Sequence, residues 1–201
     1  MLVLGLTGSV GMGKTATAQL FAEQGCAVYD ADLAVHQLYS GDLAGLIEEA
    51  FPGSTRNGVV DRAALSKHVL GDRAALLKLE GIVHPVVRKA ERAFLAEAAG
   101  RGIRTVVLDI PLLLERDRAR DVDAVVVATA PAEVQRQRVL ERPGMTAEKF
   151  AHILARQMPD AEKRARAHFI VDTGRGHEPA RRGVLGILRA LAADPGRRRG
   201  S

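Results

Sequence analysis

Apolar runs of strand length recur along the chain, and each is followed by a stretch whose apolar positions have helical spacing. Leu2 to Leu6 leads into a glycine-rich turn and then a helix over Lys14 to Glu23. Cys26 to Tyr29 is a second short strand ending at Asp30. Thr105 to Asp109 is a third, Ala124 to Thr129 a fourth and Phe169 to Asp172 a fifth. These runs are β-branched and nearly continuous in hydrophobicity, as strands covered on both faces are. Their alternation with helices predicts an α/β protein with a doubly wound, parallel five-stranded sheet.

Roughly 75 residues lie between the second and third strands, far more than one crossover helix needs, so a helical lobe is expected there. Gly41, Pro52-Gly53 and Asn57-Gly58 punctuate it, and two long helices follow, Asp72 to Val83 and Pro85 to Ala99. Proline disfavours the α region for the residue before it and suits the first turn of a helix, so a bend is expected at His84-Pro85. A second excursion, Pro131 to Arg142 and Thr146 to Gln157, reads as two Arg-rich helices around Pro143-Gly144. It suits a closing lid, or an ordinary solvated helix pair. The expected organisation is a sheet-bearing core of residues 1–31, 101–130 and 167–196. To it are added a helical insertion (32–100), a helical lid (131–166) and a basic disordered tail (197–201).

Composition changes this picture little. Aromatic residues make up 3% of the 201, with no Trp, so the core is built of aliphatic side chains. The formal charge of +5 suits an anionic partner, nucleic acid or polyphosphate metabolite, or a merely solvated Arg-rich surface. Cys26 is the sole cysteine, which excludes an intramolecular disulfide and favours a reducing compartment. The apolar opening is too short for a signal peptide or a membrane span, so a cytoplasmic location is expected.

Chemistry enters at Gly8-Ser9-Val10-Gly11-Met12-Gly13-Lys14-Thr15, which fits G-x-x-x-x-G-K-[ST] between a strand and a helix. This is the signature of a P-loop NTPase-type fold. Gly8, Gly11 and Gly13 permit backbone conformations and close approaches that a Cβ would block. Amides from Gly11 through Met12 and on to Ala16 then face phosphate oxygens at the start of the helix. Lys14 reaches the β- and γ-phosphates and Thr15 offers its hydroxyl to Mg²⁺.

The remaining chain narrows the class. Asn57 is the only asparagine, so the Asn-Lys-x-Asp guanine-reading motif is absent, and the length leaves no room for a helicase or transporter module. A metabolite kinase leads. Asp30-Ala31-Asp32 ends the second strand, at the edge where parallel sheets bind ligands. Asp30 reads as a helix cap, and Asp32 as either an acid complementing the helix dipole or a functional carboxylate. The other readings are a different small-molecule or nucleotide kinase, and a nucleic-acid-associated ATPase. The absence of aromatic stacking platforms weighs against the last.

Several segments together resemble the dephospho-CoA kinase family. They are Gly5-Leu6-Thr7-Gly8 with its phosphate loop, Val28-Tyr29-Asp30-Ala31-Asp32, Leu79 to Pro85 and Val107 to Glu115. Arg138 to Arg142, Ile153 to Gln157 and Phe169 to Asp172 continue the likeness over nearly the whole chain. The chain departs from the family at His36, where Arg is common, and at Thr173-Gly174, where an Asn-containing turn is usual. The resemblance implies transfer of the ATP γ-phosphoryl group to the ribose 3′-hydroxyl of dephospho-CoA, with Mg²⁺. It implies that Asp32 aligns the hydroxyl, Lys14 holds the triphosphate, and Arg142 with Arg138 reaches over the phosphates. Asp109 stands where a carboxylate can hold Mg²⁺ through water. Pro111, Leu112 and Leu113 form a lip of the acceptor site, unless the leucines are core. His84-Pro85 shapes the acceptor pocket, unless it is a bare helix break. ATP and dephospho-CoA are the expected partners of a monomer that binds neither nucleic acid nor membrane.

Overall fold

The computed structural model describes residues 1–192; the expected tail at 197–201 and the last residues of the expected core, 193–196, lie outside them. The chain forms two units: Met1–Tyr29 with the chain from Ala98 onward, and Asp30–Glu97.

In the first unit, β1 (Leu2–Thr7) is buried at all six positions, the mark of a strand covered on both faces. It lies at the centre of a five-stranded sheet with β2 (Ala27–Asp30), β5 (Thr105–Asp109), β6 (Ala124–Thr129) and β7 (Phe169–Asp172), in the order β2-β5-β1-β6-β7. Parallel registers pair Leu6 with Asp109, Thr7 with Val127 and Thr129 with Asp172, so the carboxyl ends of these strands share one edge. Leu4, Leu6, Val107 and Val126 pack in one cluster with Leu20 and Phe21 of α1 (Lys14–Glu23) and Val184 and Ile187 of α9 (His177–Leu191). β2 begins one residue later than its apolar run. Cys26 is still part of the turn after α1, donating its N–H to Phe21 O at 3.2 Å, and burial pushes its thiol up to about 11.

The second unit holds α2 (Ala31–Tyr39), α3 (Asp42–Ala50), a short hairpin of β3 (Thr55–Arg56) and β4 (Val59–Val60), α4 (Arg62–Val69) and most of α5 (Arg73–Gly100). Leu43, Ile47, Phe51, Val60, Leu65 and Leu79 form its own core. Two expectations are corrected here. The lobe is not wholly helical. Asn57 (φ 53°) and Gly58 (φ 75°) make a two-residue turn with both φ values positive, which joins antiparallel strands without splaying them. And α5 is one helix of 28 residues with Pro85 inside it, not two helices broken at His84-Pro85. Proline there removes the bond to the Gly81 carbonyl at a cost of about 3 kcal/mol. The apolar stripe of Leu79, Ile82, Val83 and Val86, packed on the unit's core, continues through it and outweighs that cost. No described helix is long and apolar enough to cross a membrane.

Candidate active site

The turn between β1 and α1 needs its glycines for separate reasons. At Gly8 a Cβ would lie 2.7 Å from Ala128 O on the neighbouring strand β6. At Gly11 (φ 78°) it would strike Val139 Cγ2 at 2.5 Å, and at Gly13 (φ 81°) Thr173 Oγ1 at 2.6 Å. Gly13 is also the residue before α1, and no side chain caps that helix and no acid stands in its first turn. Among the described residues the N–H groups of Gly11, Gly13, Lys14, Thr15 and Ala16 have no acceptor, whereas Thr17 N–H already bonds Gly13 O. Free amides at the positive end of a helix dipole make an anion site. Met12 differs from the expectation. Its N–H bonds Ser9 O at 3.1 Å and its side chain is buried, with Sδ accepting Ala130 N–H. It braces the loop and offers no free amide.

Lys14 Nζ lies 2.5 Å from Asp109 Oδ1, and that carboxylate is buried at the end of β5. The strand register that sets Asp109 beside Leu6 therefore places a negative charge at the foot of the phosphate-loop lysine. Thr15 is exposed in the first turn of α1. Among the described residues no three His, Cys, Asp or Glu side chains gather to hold a metal. The oxygens present, one hydroxyl and one carboxylate, fit an ion such as Mg²⁺, which takes few protein ligands and completes its octahedron with phosphates and water.

Three side chains to which the sequence reading gave no role hold this loop. Gln135, buried on α6 (Ala132–Leu140), donates Nε2 to Val10 O at 2.7 Å. Gln157, beyond α7 (Ala147–Leu154), accepts Val10 N–H at 3.1 Å. Thr173 Oγ1 lies 2.9 Å from Met12 O and 3.2 Å from Thr129 O. Arg138 donates Nη1 to that hydroxyl (2.9 Å) and Nη2 to Thr173 O (2.8 Å). Thr173, the family departure, is thus the joint between Arg138 and the phosphate loop. The sequence signals were Gln135, on the buried face of a polar helix with Val139, and the departure at Thr173.

Arg142 lies two residues beyond α6 on the exposed turn before Gly144, and its guanidinium has no partner among the described residues. The C-terminal part of the expected lid is anchored. In α8 (Asp160–Ala165), Asp160 accepts the Thr129 hydroxyl and Lys163, fully buried, pairs with Glu115 at 2.8 Å. Burial alone would raise the Glu115 carboxyl. The Lys163 ammonium and backbone N–H donors, Met158 among them, outweigh it and hold the group below its usual range. Thr7 Oγ1 bonds Pro111 O at 2.9 Å, and Leu112 is half-buried. Leu113 is a correction: its side chain is fully buried, and a Cβ on Gly5 would meet it at 2.7 Å, so it is core and not a lip.

In the second unit Asp30 caps α2, accepting Leu33 N–H at 2.9 Å. Asp32, in the first turn, is exposed and lines a cavity of about 540 Å³ with Tyr39, Arg62, Leu65 and Leu79. His84 and Pro85 are exposed on α5 and are not among the residues that line it.

The family model described as dephospho-CoA kinase matches residues 2–178. A dephospho-CoA kinase from Mesorhizobium japonicum is 59% identical over 98% of this chain and 100% of its own length. The crystal structure of TT1252 from Thermus thermophilus superposes with a TM-score of 0.82 at 30% identity, covering 94% of this chain and 96% of that one. Dephospho-CoA kinase from Campylobacter jejuni, at 19% identity and a TM-score of 0.61 over 94% of this chain and 96% of that one, shares the fold.

Proposed function

The chain belongs to the dephospho-CoA kinase family, and we propose that Lys14, Asp32 and Arg142 carry out its reaction, transfer of the ATP γ-phosphoryl group to the ribose 3′-hydroxyl of dephospho-CoA, giving coenzyme A and ADP. The observation that carries this reading is the phosphate loop itself. It is a strand-to-helix turn with free amides and a lysine, locked where side chains would collide.

Phosphoryl transfer asks for alignment and charge stabilisation more than for covalent chemistry from the protein. The free amides of Gly11, Gly13, Lys14, Thr15 and Ala16 receive the phosphate oxygens, and Lys14 exchanges Asp109 for the β- and γ-phosphates. Thr15 and Asp109 are the residues that would hold Mg²⁺, which when bound would neutralise charge on the phosphates. Arg142, unpaired on an exposed turn, is free to cover the transferring group, where a cation about 4 Å from developing charge is worth roughly 4 kcal/mol at an effective dielectric of 20. Arg138 supports the nucleotide through Thr173. On the acceptor side Asp32 accepts a hydrogen bond from the attacking hydroxyl and aims it. Residues 32–100 bind the acceptor, with Pro111 and Leu112 bordering it, and 131–166 close over the donor. The protein acts as a monomer in the cytoplasm, on ATP and dephospho-CoA and on neither nucleic acid nor membrane.

A coupled ADP-release assay comparing dephospho-CoA, adenosine, nucleoside monophosphates and single-stranded DNA tests the reading. Dephospho-CoA should be turned over far faster than the rest, and ³¹P NMR should place the new phosphate on the ribose 3′ oxygen. Phosphate on any other atom would overturn it.

A further inference from the structure

Arg62 stands where neither helix electrostatics nor ion pairing gives it a reason to be. It is the first residue of α4, where a cation opposes the helix dipole. The carboxylate beside it, Asp61, accepts the N–H groups of Ala63 and Ala64 and lies 3.5 Å from Arg56 instead. Among the described residues Arg62 makes no ion pair; its guanidinium carbon lies 5.2 Å from the centroid of the Tyr39 ring. Arg62 and Asp32 line the same cavity, within one unit of the fold, with Ser66 and the buried Leu65 and Leu79. A cation stacked on a ring, unpaired, and sharing a cavity with an exposed carboxylate describes a site for a ligand that carries both an anion and a hydroxyl.

We infer that Arg62, held by Tyr39, binds the pyrophosphate of the acceptor and so selects a 5′-pyrophosphorylated ribose. The inference rests on Asp32 orienting the 3′-hydroxyl. On dephospho-CoA that hydroxyl and the 5′-pyrophosphate hang from one sugar ring, so a residue that grips the second fixes the direction of the first. Arginine suits the task because its planar fork meets phosphate oxygens two at a time. Stacking on Tyr39 restricts the side chain beforehand, which lowers the entropy lost on binding. The apolar wall of Leu65 and Leu79 takes uncharged parts of the same molecule.

Steady-state kinetics of Arg62→Ala, Arg62→Lys and Tyr39→Leu, with circular dichroism to verify folding, test this. Arg62→Ala should raise KM for dephospho-CoA about 10- to 100-fold, the range for a lost charge-assisted bond, and leave KM for ATP within about twofold. Arg62→Lys should recover part of the loss, and Tyr39→Leu should show a smaller rise. The wild-type KM for dephospho-CoA should climb with salt more steeply than that of Arg62→Ala. An unchanged KM for dephospho-CoA in Arg62→Ala, or an equal rise in both KM values, overturns the role of Arg62 while wild-type turnover leaves the kinase reading intact. Wild-type enzyme that transfers nothing to dephospho-CoA overturns both.

Discussion

The two units treat their apolar and polar groups in opposite ways. In the first, the glycine-rich loop between β1 and α1 is fastened at nearly every residue. Gln135 and Gln157 hold Val10, Thr173 holds Met12, and glycines sit against Ala128, Val139 and Thr173. In the second, Asp32 and Arg62 are exposed, and Leu33, Leu46, Val59, Leu70, Leu76 and Leu77 are each at least 41% exposed, whereas Ile170 is the only such large apolar residue in the first unit among the described residues. The difference suits their tasks. A phosphate cradle works by being rigid, since its dipoles must already point at the charge. Under the proposed function the second unit receives a long, partly apolar acceptor, and its open surface suits that task.

That contrast can be broken from either side. Lys14→Ala should lower kcat by about 10³-fold or more and weaken ATP binding as well, because it removes a fixed charge from the braced side; normal circular dichroism with unchanged turnover would contradict this. Asp32→Asn should cost on the order of 10³-fold in kcat, within the range for an orienting or general-base group, while calorimetric ATP affinity stays near wild type. A variant keeping more than about a tenth of wild-type kcat would remove Asp32 from the mechanism.

Glu115→Gln should destabilise the first unit by about 3 kcal/mol at neutral pH, since it strands the buried Lys163. The folded Glu115 carboxyl lies below its usual range, so its contribution is present above the unfolded value and is lost as pH falls through the folded one. The gap between wild type and Glu115→Gln in denaturant midpoint should therefore narrow in acid, and a gap independent of pH would refute the pairing. The smallest effect is expected at Leu70→Ala, within about 0.5 kcal/mol because that side chain is 77% exposed. Leu6→Ala in the buried strand should cost about 2–5 kcal/mol by the same denaturation measurement. Similar losses at the two leucines would erase the distinction between the units.

Much of the donor side was legible beforehand because its signals are local. A strand, three glycines, a lysine and a helix follow one another between Leu2 and Glu23, and each element's periodicity is its own evidence. Asp30 as a cap was likewise readable from its position before a helix. The hairpin at Asn57-Gly58 was written in the most direct turn signal the chain contains, but its strands of two residues are too short to show alternation. Pro85 misled for the opposite reason. Its local rule is sound, and a stripe of packed side chains outweighed it.

The amino-acid sequence alone settled the class of chemistry, since a phosphate cradle is made of backbone and its motif is contiguous. It settled the parallel sheet as well, because two-sided burial leaves an unbroken apolar run. Which side chains serve that cradle was decided only in three dimensions. Gln135, Gln157 and Thr173 lie more than 120 residues from the loop they hold, and Leu113 became core once Gly5 left room for it. Arg62 and Asp32 share a cavity because the unit's own core brings α2 and α4 together around Leu65 and Leu79. A polar contact between distant residues leaves no periodic trace in a chain, because it needs one donor and one acceptor and not a pattern.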